Sequence, residues 1–149
     1  MVREQKWELI YAVPIADGEN VKRCYPNSAE KRAKNLEICK DRGYRVISCK
    51  KLYPFSTEKN QHNFMLIKNI CFCRMNDMFS GELPYDKAEY ERLEKLEEKA
   101  VELMELPLPV AWITWDKYEQ AKEIATMAIE HRANVCIEHG RADLVQYCG

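Results

Sequence analysis

Seven cysteines and three histidines are the residues of this 149-residue sequence with the widest chemical reach, because thiolates and imidazoles bind metals, attack electrophilic carbon and move protons. Zinc is the first chemistry to test. Cys71 and Cys73 form a C-x-C pair, but on a helix such positions point about 200° apart and cannot grip one ion. Cys136, His139 and Cys148 are better spaced: the first two are one helical turn apart, and a turn at Gly140 can bring back the third. A fourth ligand would have to come from His131 or Cys24. Paired C-x-x-C knuckles are absent from the sequence, so the simpler reading is buried thiols beside a solvated histidine. No metal or other cofactor is expected.

Nucleophilic catalysis asks for a thiol or hydroxyl, a base and an orienting group that converge in space. His62, in Gln61-His62-Asn63, could act with a cysteine while Asn69 or Asp77 orients it. A chain with seven cysteines offers such combinations by chance, so no catalytic residue is assigned. Gly18, Gly43, Gly81 and Gly140 are isolated turn or cap residues and cradle no phosphate. The sequence therefore points away from an enzyme.

The elements that would position these residues follow from spacing. Residues 7–13 alternate as a strand that Pro14 ends or leaves near an edge. After the Asp17-Gly18 turn signal comes a polar loop with at most a short extended piece around residues 21–25. Asn27 with Glu30 has the capping-box shape and opens a helix over residues 28–42, stopped by Gly43. Residues 44–52 read as a second strand closed by Pro54, and strand-helix-strand with tight connections implies a parallel βαβ unit. Ser56 or Thr57 caps a long helix to about Phe79. Phe64, Ile67, Cys71, Met75 and Met78 make one stripe of it, and Met65, Leu66, Ile70, Phe72 and Phe79 fill much of the rest, which predicts burial on several sides.

Asp86 with Glu89 starts an amphipathic helix on Tyr90, Leu93, Leu96, Ala100 and Leu103. Its outer face carries Glu91, Glu94, Glu98, Glu102 and Glu105, balanced by Arg92, Lys95 and Lys99 alone. Pro107-Leu108-Pro109 is a stiff connector to a third strand at residues 110–115, and a last helix starts at Asp116 and stops at Gly140. The expected fold is thus one α+β domain over residues 1–149. A three-stranded sheet is covered by four helices in the order β-α-β-α-α-β-α.

Composition narrows the setting. The seven cysteines are odd in number and no secretion signal accompanies them, so they read as reduced thiols in a cytoplasmic protein. The most apolar run, residues 64–73, is interrupted by Lys68 and Asn69 and is too short to cross a bilayer, so no membrane partner is expected. A net charge of -1 conceals two opposed halves. Residues 1–81 hold 15 Lys and Arg against 9 Asp and Glu, whereas residues 82–149 hold 8 against 15.

The basic half offers Lys22, Arg23, Lys31, Arg32, Lys34, Arg45, Lys50 and Lys51, with Tyr25, Tyr44 and Tyr53 nearby. Such cations neutralise phosphates and such rings stack on bases, although a pI near 6.3 is low for a dedicated nucleic-acid domain. The acidic half offers Glu91, Glu94, Glu98 and Glu102 on one helix face.

As text, Lys51-Leu-Tyr-Pro-Phe-Ser56, Lys59-Asn-Gln-His-Asn-Phe-Met-Leu-Ile67 and Pro107-Leu-Pro-Val-Ala-Trp112 resemble small uncharacterised proteins carried on plasmids, phages and conjugative elements of anaerobic Firmicutes. The resemblance places no functional residue. It implies a setting in which accessory proteins bind host machinery, defence nucleases included. The expectation is a non-enzymatic interaction protein whose partner is a protein or a protein–nucleic acid complex. Direct nucleic-acid binding is the alternative, and a small cysteine/histidine enzyme the third reading.

Overall fold

The computed structural model describes residues 5–147. Along the chain run β1 (Lys6–Ile15), β2 (Gly18–Cys24), α1 (Ala29–Arg42), β3 (Arg45–Ser56), α2 (Thr57–Ser80), α3 (Lys87–Met104), β4 (Val110–Thr114), α4 (Trp115–Glu138) and a last 3-10 turn, Ala142–Tyr147. The mixture is α+β. It divides into two compact units, one of residues up to Phe55 with Trp112–Asp116, the other of Ser56–Ala111 with the chain from Lys117 onward. Among the described residues no helix is long and apolar enough to cross a membrane.

The first unit corrects the expected fold. Its sheet has four strands, not three, in the order β2-β1-β3-β4, and β1 pairs antiparallel with both β2 and β3. The element order is therefore β-β-α-β-α-α-β-α. The unexpected strand is β2, which folds back on β1 through a two-residue loop at Ala16-Asp17 before α1 begins. Since β2 and β3 both oppose β1, they are parallel to each other, and the true βαβ unit is β2-α1-β3 with β1 lying between its strands. Gly-Glu-Asn-Val-Lys-Arg-Cys is polar on both sides and exposed up to Cys24, so β2 carries no hydrophobic alternation to announce it.

Two prolines sit inside strands rather than ending them. Pro14 lies beyond the stretch of β1 that β3 pairs, which covers Lys6 to Ala12, and Pro54 lies within β3. In β3 the partners step from Ser48, opposite Ile10, to Val46, opposite Tyr11, leaving Ile47 as the extra residue of a bulge. One sheet face, with Trp7, Leu9 and Tyr11, turns toward α1. The other carries Glu8, Ile10 and Ala12. Helix α1 is capped by Ser28, whose hydroxyl accepts from the Lys31 N–H at 3.1 Å, one residue after the expected Asn27.

In the second unit α2 packs on α3. Phe64, Ile67, Cys71, Met75 and Met78 are buried, together with Leu93, Ala100 and Leu103 of α3 and Ala121, Ile124 and Ala128 of α4. Burial of α2 beyond its main stripe is partial: Leu66 and Ile70 are half-buried. Met65 and Phe72 are exposed and Phe79 is 86% exposed, because these three recur every seven residues on a face away from the buried stripe. The start of α2 is fastened to the Pro107–Pro109 connector. Thr57, fully buried, donates its hydroxyl to the carbonyls of Pro107 and Pro109 at 2.6 and 3.0 Å, and the Glu58 N–H reaches the Pro109 carbonyl at 3.1 Å.

Candidate functional site

Helix α3 begins at Asp86, whose carboxylate accepts from the Glu89 N–H at 3.2 Å, and its buried residues are Leu93, Ala100 and Leu103. At 3.6 residues per turn, Glu91, Glu94, Glu98 and Glu102 fall on the opposite side within an arc of about 80° and along about 17 Å of axis. Glu105, the C-cap residue, prolongs the row. All five are exposed, and among the described residues none makes an ion pair, although Lys95 and Lys99 flank them.

This arrangement costs the helix stability. Glu94, Glu98 and Glu102 repeat at i,i+4, where each like-charged pair destabilises by about 0.2–0.5 kcal/mol. Glu102 and Glu105 also sit at the carbonyl end, which favours cations, and the last turn contains no basic residue. The contrast within the helix is Glu89, gripped by Arg92 through bonds of 2.7 and 2.9 Å. That hydrogen bonding holds the Glu89 carboxyl below the usual glutamate range.

The eight basic residues do not form one surface. Register places Lys22 and Lys51 on the sheet face that α1 covers, and Arg23, Arg45 and Lys50 on the other. Several are already engaged. Arg45 grips Glu19 through two bonds of 3.1 and 3.2 Å, bridging β3 to β2 across β1 at Ala12, whose exposure is zero. Arg23 lies 3.8 Å from Glu8, Arg32 lies over Trp7 at 5.4 Å, and Lys51 lies over Tyr53 at 5.6 Å. Lys31 and Lys34 are exposed and line a groove of about 290 Å³ with Tyr25, Asn27 and Asn35.

Three thiols gather in the first unit, with Cys24 and Cys49 on either side of Leu9 in the sheet and Cys39 on α1, whereas Cys71 and Cys73 belong to α2 and Cys136 to α4. Cys24 and Cys39 line a cavity of about 80 Å³ between the sheet and α1. Burial pushes both upward from the ordinary thiol pKa, as it does Cys71, so none is an activated nucleophile. Cys71 is buried and Cys73 exposed, as their helical spacing requires. Cys136 is half-buried and His139 exposed, while Cys148 lies outside the described residues. Among the described residues no three His, Cys, Asp or Glu side chains form a metal-binding group.

Exposed His62 stands in the second turn of α2. Asn69, Cys73 and Asp77 line one shallow groove of about 350 Å³, and His62 does not line it. Along the helix His62 lies about 17 Å from Cys73, so this pair stays apart.

No protein-family model, curated protein or solved structure matches the chain. Sequence reasoning missed the pairing of the cations, which joins residues 15 to 26 positions apart through strand register. The alternation of Glu19, Val21 and Arg23 was the one available signal.

Proposed function

We propose that this protein is a non-enzymatic interaction protein of a mobile genetic element, presenting the glutamate row of α3 to a cationic surface on a host protein or protein–nucleic acid complex. The observation that carries the reading is the state of the charges: the cations of the sheet are largely engaged within the chain, and the α3 carboxylates are left free at a cost to their own helix. A line of regularly spaced carboxylates suits a channel built for phosphates, such as that of a defence nuclease, and steers toward it by long-range attraction. Under this reading the protein works in the cytoplasm.

The test compares wild type with the combined Glu91→Lys, Glu94→Lys, Glu98→Lys, Glu102→Lys variant. Wild type should hold a host complex at low salt and release it as salt rises, and the variant should fold normally and hold none. A complex that survives the reversal defeats the reading.

The groove of Tyr25, Asn27, Lys31, Lys34 and Asn35 favours a second reading, direct binding of single-stranded nucleic acid, with lysines on phosphates and the tyrosine on a base. Tight binding of bare oligonucleotide at physiological salt, lost in Lys31→Glu, Lys34→Glu and untouched by the α3 reversals, would put it first.

A further inference from the structure

Among the described residues the sheet stops at β2, and that edge is open. There β2 pairs with β1 alone, its residues Gly18 to Arg23 are all exposed, and Val21 at its centre is 55% exposed. An uncovered edge of seven residues is a template for another strand, which natural sheets tolerate only when something blocks or uses it.

The charges on the face away from α1 indicate use. Register sets Lys50 of β3 beside Glu8 of β1, and Glu8 reaches Arg23 of β2 at 3.8 Å, a row that reaches the edge as a cation. A second row runs from Arg45 of β3 to Glu19 of β2 and reaches the edge as an anion. Glu19 and Arg23 stand two residues either side of Val21.

We propose that β2 is a self-association edge: two copies of this chain pair their β2 strands antiparallel about a two-fold axis at Val21. Glu19 of each then faces Arg23 of the other, and each charge row continues across the axis with alternating sign. The register is specific. A two-fold axis perpendicular to the sheet sets one residue opposite itself. Centring on Asn20 puts Glu19 against Val21, and centring on Lys22 puts two lysines together. Only Val21 matches opposite charges at both positions, and, as the middle of Gly18–Cys24, it also uses the whole strand. Backbone hydrogen bonds along the edge supply the attachment and the charge pairs select the register. This edge is a different surface from the α3 row, and the proposal stands whether or not that row binds a partner.

The experiment measures the mass of the full chain by light scattering over a concentration series. Wild type should rise from 17.6 kDa toward twice that value. Glu19→Arg alone sets cation against cation and Arg23→Glu alone sets anion against anion, so each should remain at 17.6 kDa where wild type has doubled. An equimolar mixture of the two restores opposite charges at both positions and should recover the doubled mass. Circular dichroism checks the fold, which both exposed substitutions should leave intact, since the ion pairs they break are surface pairs. Should either variant misfold, Val21→Lys, which sets two lysines at the axis, takes its place and must weaken association. A wild type that stays monomeric up to its solubility limit overturns the proposal and leaves the edge to an extended segment of another protein. A dimer that persists in both single variants, or a mixture without recovery, overturns it equally.

Discussion

The eight cations around the sheet and four glutamates on the outer face of α3 are equally conspicuous in the sequence, yet the fold treats them oppositely. Arg45, Arg23, Arg32 and Lys51 each lie against a carboxylate or a ring of their own unit. Glu91, Glu94, Glu98 and Glu102 lie against solvent, with both like charges and the cations Lys95 and Lys99 among their helical neighbours. Counting cations alone therefore overstates how many the first region leaves free, whereas the glutamates of the α3 row make no ion pair among the described residues. What a partner meets is the charge left after strand register and rotamers have paired the rest.

The largest expected effect separates the glutamate row from the apolar residues of the same unit. Ile67→Asp places an unpaired carboxylate at a position 4% exposed and should cost about 3–5 kcal/mol in urea unfolding. Full stability in that variant would mean that α2 is not core. Next comes the engaged cation. Arg32→Ala removes a guanidinium from over Trp7 and uncovers the ring, so it should destabilise by about 1 kcal/mol and raise tryptophan quenching by iodide. An unchanged melt would return Arg32 to the pool of free charge.

A smaller effect carries the opposite sign. Glu98 has like charges four residues away on both sides, at Glu94 and Glu102. Glu98→Gln removes these two repulsions and one attraction, to Lys95 three residues before, and should therefore stabilise the protein by about 0.2–0.5 kcal/mol at low salt, a gain that fades as salt screens the charges. A loss of stability would reveal a partner for Glu98 within the chain. The smallest effect concerns acid. Hydrogen bonding to Arg45 holds Glu19 below the usual glutamate range, so its contribution is present at neutral pH and is lost as pH falls through the depressed value. Arg45→Ala should flatten the acid limb of stability against pH slightly, followed by urea midpoints. An unaltered limb would show that the pair does not form in solution.

Much of the helical framework was legible because helices announce themselves locally. Asp86 with Glu89 fixed the start of α3, Gly43 and Gly81 the ends of α1 and α2, and the stripe from Phe64 to Met78 the buried side of α2. The sheet was less legible because its signals are non-local. β2 is an edge strand without an apolar face, so it read as loop, and the error made β1 and β3 a parallel pair when they are antiparallel. The exposed side of α2 failed for a related reason. Phe72 and Phe79 are as apolar as Phe64, and composition alone cannot tell which helix face another element will cover. The α3 row was readable residue by residue, since its exposure follows from the stripe behind it. The engagement of Arg45 was not, since Glu19 is 26 residues away.

The fastening at Thr57 makes the segment from there to Pro109 a ring in all but covalent structure: α2 runs out, α3 runs back, and one buried hydroxyl clasps the ends. The entropy of closing such a ring grows only with the logarithm of its length, so doubling the enclosed chain costs about 0.6 kcal/mol. Extra residues at the far turn, after exposed Pro84, are therefore tolerated as long as the clasp and the helix pair remain. That turn is the natural position for a grafted epitope or fluorophore. A protease cut there would leave two fragments held side by side.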